Sequence, residues 1–259
     1  MPPSTTIQEL ARTIQEACST PSTRPARRHP TGWPEIDEAL AEGGERGKEG
    51  LPGGVIHEWF GLFEVAPPTS QAQDLAAWLP PLTIMIHLAR RADGPVVWIG
   101  RRCWPYPLAL GPDLLARSIF VDVTDLRERA WALDVSLRCR GLDVVIGDGA
   151  LLNMSATRRL QLAAAEGGSL ALILRPPRDL SHLSAASTRW AVSPAPSPLH
   201  ATESIHRWTL RLLRRKGLKQ PDHDTWTLEL NETGALHLVP DAGHRSGAEE
   251  RPQDRAHSA

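Results

Sequence analysis

The sequence predicts an α/β fold: a mainly parallel twisted sheet flanked by helices, with antiparallel strands added at its C-terminal end. Three observations lead there. Short apolar runs without alternation, at 142–147 and 169–174, suit strands buried on both faces, as parallel strands are. Amphipathic helical stretches alternate with them at the rhythm of right-handed βαβ crossovers. After Arg175-Pro176-Pro177 the runs change to polar–apolar alternation, as in Trp208-Thr209-Leu210-Arg211-Leu212, which fits antiparallel strands.

In chain order, Ile7, Leu10, Ala11, Ile14 and Cys18 recur at helical spacing, so residues 4–18 read as an amphipathic helix. Ser19 to Pro30 is rich in Pro, Ser and Arg and reads as a linker. The organisation expected is therefore a helix and linker over 1–30, a core domain over 31–240 and a disordered tail over 241–259. Pro34 opens a short helix to Leu40. Val55 to Phe60 reads as a strand ending at Gly61. Pro80-Pro81 divides a helical stretch into 71–79 and 81–91. Strands follow at 96–99 and 118–123. The loop between them, Arg101-Arg102-Cys103-Trp104-Pro105-Tyr106-Pro107, reads as non-helical. Thr124 is placed to cap a helix over 125–140, with Leu126, Ala130, Leu133 and Leu137 inward, and Ser155 to cap one reaching Glu166. The late strands are 188–192, 205–213, 225–230 and 235–239.

Composition excludes several classes. The 259 residues carry 29 Lys+Arg against 30 Asp+Glu, a net charge of −1, with 41% hydrophobic, unlike a disordered chain. No stretch approaches the roughly 18–20 apolar residues of a membrane span, and the amino terminus lacks a secretory core. Cys18, Cys103 and Cys139 lie far apart, which fits a reducing cytoplasm. No metal-ligand spacing and no G-x-S-x-G elbow occurs. Only Lys48, Lys216 and Lys219 are lysines, so any lysine-dependent mechanism has three candidates. Trp59, Trp98, Trp131 and Trp190 are expected in the core.

Residues 31–61 resemble the start of a RecA-type core: Thr31-Gly32 leading to Ile36-Asp37 and Leu40, then Gly50-Leu51-Pro52-Gly53-Gly54 and a strand ending in Gly61. Thr157 to Gly168, Leu172-Ile173-Leu174-Arg175-Pro176, Ala185 to Trp190 and Trp208 to Arg214 are similar to the ImuA family of RecA-like mutasome proteins, over roughly 31–230. That resemblance implies a non-catalytic accessory protein of DNA damage tolerance, induced by damage, supporting error-prone translesion synthesis. It implies as partners an inactive Y-family polymerase-like mutasome protein and a C-family error-prone polymerase, with RecA and single-stranded DNA as further candidates and no membrane. The implied location is the cytoplasm, at the nucleoid. Two other readings stay open: a SulA-type cell-division inhibitor that binds a tubulin-like protein, and a RecA-like ATPase with residual nucleotide binding.

A working phosphate loop needs G-x-x-x-x-G-K-[ST], whose N–H groups and lysine hold the phosphates and whose hydroxyl holds Mg²⁺. Gly61 to Ser70 lacks the second glycine and the lysine, and Pro67-Pro68 removes two donors. The loop is thus degenerate, with Gly61, Thr69, Ser70 and the strand-end Asp148 as vestigial nucleotide residues. Where the family resemblance calls for an activating Glu after 96–99 stands Gly100-Arg101-Arg102. No cofactor is expected, ATP and Mg²⁺ being vestigial at most. The candidates for DNA or partner binding are Arg101, Arg102 and Trp104, and a basic strip of Arg207, Arg211, Arg214, Arg215 and Lys216, the last three placed in a turn. Such a strip suits either phosphate contact or the guarding of a sheet edge.

Overall fold

Apolar runs too short to be helices become the sheet, and the computed structural model describes residues 27–41, 49–62, 78–197, 205–217, 219 and 221–240. The expected helix at 4–18, residues 71–77 of the helical segment expected at 71–79 and the tail at 241–259 lie outside these residues, and Trp78 and Leu79 at that segment's end are not helical.

The strands are β1 (Arg28–His29), β2 (Leu51–Pro52), β3 (Ile56–Gly61), β4 (Val96–Ile99), β5 (Ser118–Val121), β6 (Val144–Asp148), β7 (Leu170–Arg175), β8 (Thr188–Ala195), β9 (Arg207–Arg215), β10 (Thr225–Leu230) and β11 (Leu236–Val239). The helices are α1 (Pro34–Leu40), α2 (Leu82–Arg90), α3 (Pro107–Ala116), α4 (Leu126–Arg138) and α5 (Met154–Gly167). Nine strands form one sheet in the order β11-β10-β9-β8-β3-β7-β6-β4-β5. The run from β8 to β5 is parallel, and β9, β10 and β11 extend it antiparallel. Strands β1 and β2 pair separately, so the fold takes in Arg28, within the segment read as linker.

Two apolar layers sandwich the sheet. Trp59, Trp98, Leu172 and Trp190 pack against α1, α2 and α3 on one face, with Trp226 and Leu228 continuing that layer under the antiparallel strands. On the other face Ile56, Val97, Val145 and Ile173 meet Leu133, Leu137, Leu160 and Ala164 from α4 and α5. Strands of continuous apolar sequence are needed here because both faces are covered. Trp59, Trp98 and Trp190 are fully enclosed, as expected.

Trp131 is a correction: it is 52% exposed. With Leu133 and Leu137 facing the sheet, the turn of roughly 100° per residue carries Trp131 to the outer side of α4. Both helix caps also move. Asp125 rather than Thr124 caps α4, accepting N–H bonds from Arg127 and Glu128, and Asn153 rather than Ser155 caps α5. An acid or amide on a short stem outcompetes the neighbouring hydroxyl. Helix α5 ends where Gly167 approaches Leu137 so closely that a Cβ would lie 1.9 Å from its carbonyl oxygen. Helix α3 lies in a stretch to which the sequence reading assigned no element; its backbone kinks at Gly111 (φ 71°), before Pro112, and continues. The loop read as non-helical holds one 3₁₀ turn at Arg101–Cys103.

Candidate functional site at the carboxyl edge of the sheet

In an open α/β sheet ligands bind beyond the carboxyl ends of the parallel strands. Here those ends bring Gly61, Arg175, Asp148, Gly100 and Asp122 into a row, in the order β3, β7, β6, β4, β5. Ion pairs cross the β3–β7, β6–β4 and β4–β5 junctions, and hydrogen bonds to backbone groups link the β7 and β6 ends.

At the β4–β5 end, Arg101 donates to both oxygens of Asp122, at 2.7 and 2.6 Å, holding the exposed Asp122 carboxyl below its usual range. At the centre, Asp148 is buried and both its oxygens are engaged. Oδ1 accepts the Ala150 N–H at 2.9 Å, and Oδ2 accepts Arg129 Nη1 at 2.8 Å. Arg102 Nε adds an ion pair at 3.8 Å and its guanidinium lies 5.4 Å from the Trp78 ring centre. Gly100 (φ +87) lets the chain turn over this acid, since a Cβ there would stand 3.3 Å from that of Asp148.

At the β7–β3 end, Arg175 is fully enclosed. It donates to Glu58 Oε1 at 2.6 Å, to Asp179 Oδ2 at 2.9 Å and to the Leu152 carbonyl at 2.7 Å. Glu58, also enclosed, takes further bonds from Ser184 at 2.7 Å and Arg189 at 2.9 Å. The same Asp179 oxygen accepts the N–H of Leu151 at 3.1 Å, and Leu151 is the only non-glycine residue with positive φ (68°) among those described. The two buried acids meet Arg175 and Arg189, with Arg178 4.0 Å from Asp179, so their charge is compensated, the condition under which buried charge is tolerated. Nothing in the sequence reading singled these out. The available signals were a Glu inside the apolar run 55–60, an Arg closing the run 169–174, and an Asp four residues after it.

Gly61 ends β3, and the next N–H, of Leu62, bonds Val192 at 2.7 Å. Thr69 and Ser70 lie outside the described residues. Trp104 sits half-buried, edge-on to Phe120 at 5.6 Å, as part of the core rather than a free stacking surface. Burial pushes the Cys103 thiol well up, so no thiolate nucleophile forms there. Among the described residues no group of His, Cys, Asp and Glu is arranged to hold a metal, and no helix is long and apolar enough to cross a membrane.

The basic strip is engaged with the protein itself. Arg207 pairs with Glu229 at 2.5 Å and Arg211 with Asp224 at 3.7 Å. Arg214 and Arg215 close β9 rather than standing in the turn, because β8 pairs with them through Thr188 and Arg189. Arg214 donates to the carbonyls of Ser184 and Ala186, at 3.0 and 2.7 Å, and Arg215 to those of Ala39 and Lys219. Lys216 alone of the five is in the turn, and it is exposed.

No protein-family model matches the chain. Over 219 residues it is 32% identical to Protein ImuA of Caulobacter vibrioides (strain NA1000 / CB15N), covering 78% of this chain and 83% of that relative. Protein ImuA of C. vibrioides strain ATCC 19089 / CIP 103742 / CB 15 aligns with the same figures.

Proposed function

The chain belongs to the ImuA family, and from that premise we propose that it is a non-catalytic RecA-like accessory protein of the DNA damage tolerance mutasome. In this reading it supports error-prone translesion synthesis as an adaptor, binding an inactive Y-family polymerase-like protein and a C-family error-prone polymerase in the cytoplasm. The observation that carries it is the 32% identity sustained across most of both chains.

The geometry of the carboxyl edge supports the non-catalytic part. An acid that holds Mg²⁺ must offer an oxygen to it, and both oxygens of Asp148 already accept hydrogen bonds, from Ala150 and Arg129. A phosphate needs free cations and N–H donors, whereas Arg101 and Arg175 are committed to Asp122, Glu58 and Asp179. The degenerate loop sequence from Gly61 to Ser70 points the same way. Direct contact with single-stranded DNA draws less support, since four of the five strip residues bond to the protein.

Co-expression of the full chain with each polymerase, followed by affinity capture and gel filtration, tests the reading. Co-elution with the polymerase-like protein is expected. Capture of a tubulin-like division protein and of neither polymerase overturns it in favour of the SulA-type reading.

A further inference from the structure

Helix α4 opens at the carboxyl edge, and its first turn carries Arg129 to the end of β6. Arg129 Nη1 donates to Asp148 Oδ2 at 2.8 Å and Nη2 to the Ala150 carbonyl at 3.2 Å. One guanidinium thus bridges the acid that ends the strand and the turn that follows it. Both side chains are largely enclosed, Asp148 at 5% and Arg129 at 11% exposure. The stem of Arg129 lies along Gly100, where an added Cβ would stand 3.5 Å from its Cδ. A second cation, Arg102, stands 3.8 Å from the same Asp148 oxygen. Asp125 also faces Arg129, but its Oδ1 is spent on the N–H groups of Arg127 and Glu128.

The two oxygens that Arg129 takes, a carboxylate and a backbone carbonyl, are hard donors of the kind Mg²⁺ requires. A metal there has to displace the guanidinium. The arginine stays charged throughout the physiological pH range. A divalent ion set beside Arg102 and Arg129 therefore meets two like charges where water screens little. The residues present do not fit the ion of a working RecA-type core. What they fit is a cation supplied by the chain itself.

We propose that Arg129 is an internal counter-ion in place of a divalent cation, so that the carboxyl edge keeps one shape without metal or nucleotide and neither gates partner capture. Arg129 is a positioning residue: it acts through Asp148 and the turn at Ala150, and so on Leu151, whose N–H is held by Asp179. A ligand shifts a conformational equilibrium only through unequal affinity for the two states. A charge tethered to α4 neither leaves nor exchanges, so it fixes one state. The proposal rests on the adaptor reading above and supplies its regulation: the amount of chain, not its nucleotide state, sets how much complex forms.

The test compares EDTA with Mg²⁺ and ATP, for the full chain as wild type, Arg129→Ala and Arg129→Lys. Melting temperature is measured, together with affinity for the purified Y-family polymerase-like protein. A ligand that binds only the folded state raises the melting temperature. For wild type, the two conditions are expected to agree within about 1 °C and about twofold in Kd. Arg129→Ala is expected to melt about 5 °C or more lower in EDTA and to regain part of that loss in Mg²⁺, because the ion then finds Asp148 and Ala150 open. Arg129→Lys, which keeps a cation beside Asp148, is expected to show no Mg²⁺ response. A drop in Arg129→Ala without recovery in Mg²⁺ makes the arginine merely structural and overturns the proposal. A wild-type shift of several degrees, or a change in Kd of about tenfold, overturns it as well. Those wild-type measurements decide even where Arg129→Ala does not fold. A wild-type chain that never binds the polymerase-like protein overturns the adaptor reading, while the melting temperatures still decide for or against the counter-ion.

Discussion

The carboxyl edge of the parallel strands and the antiparallel strip of β9 and β10 are both rich in arginine paired with acids, yet they differ in what pairing accomplishes. At the edge, Glu58, Arg175 and Asp179 are fully enclosed. Each of those charges depends on its partners, because water cannot replace them. On the strip, Arg211 is 59% exposed and pairs at 3.7 Å with Asp224, where water and salt compete. The same residue types thus form a structural keystone in one region and a solvated border in the other. Burial makes the difference, not charge.

The largest effect that can sharpen this contrast is expected from Arg175→Met. It removes the cation between Glu58 and Asp179 and leaves both acids enclosed, so a loss of about 3–5 kcal/mol is expected in urea unfolding. A loss under about 1 kcal/mol would mean that water reaches the cluster.

Acidification comes next. Burial holds His57 neutral with a pKa lowered to about 4, its Nε2–H donating to the Pro52 carbonyl at 2.9 Å and its Nδ1 accepting from Thr188 at 2.8 Å. His87, stacked 4.2 Å from the Trp33 ring, is likewise lowered to about 4 by burial. The unfolded chain takes up these protons near pH 6.5 and the folded chain only near 4. Stability is therefore complete above about pH 6.5 and lost as the pH falls towards 4, with His57 alone contributing on the order of 2 kcal/mol of that loss at pH 5. Urea midpoints at pH 7 and pH 5 measure it.

How much of this was legible in the sequence depends on what kind of signal a residue leaves. Continuous apolar runs announced β4, β6 and β7, and alternation announced β9 and β10, because those patterns are burial itself written along the chain. Helix α3 was hidden by Gly111 and Pro112, which lower local propensity and are tolerated only because Leu110 and Leu114 still reach the core. The Glu58–Arg175–Asp179 cluster was illegible for a different reason. Glu58 and Arg175 are 117 positions apart, and only the pairing of β3 with β7 brings them together. The strip misled in the opposite direction: six bases without an acid between His206 and Lys219 look free in one dimension. The acids that pair with Arg207 and Arg211 are Glu229 on the neighbouring strand and Asp224 just before it.

Within the strip, Arg214 is the member closest in character to the edge. Half-buried, it serves the carbonyls of Ser184 and Ala186. Arg214→Ala is expected to cost about 1–2 kcal/mol in the same unfolding assay. Arg211→Ala, which breaks an exposed pair, is expected to cost less than about 0.5 kcal/mol and to be insensitive to salt beyond 0.5 M. Equal costs for the two would erase the distinction drawn between buried and exposed arginines in this strip.

The reading of the carboxyl edge as a row of charges satisfied by one another, rather than a nucleotide site, has one direct test. Phosphate release from ATP and Mg²⁺ is measured for the full chain with and without single-stranded DNA, alongside Asp148→Asn. No release above the protein-free rate, unchanged by the substitution, is the expected result. Turnover by the wild-type chain that disappears in Asp148→Asn would contradict it, because Asp148 would then be holding a metal ion instead of Arg129.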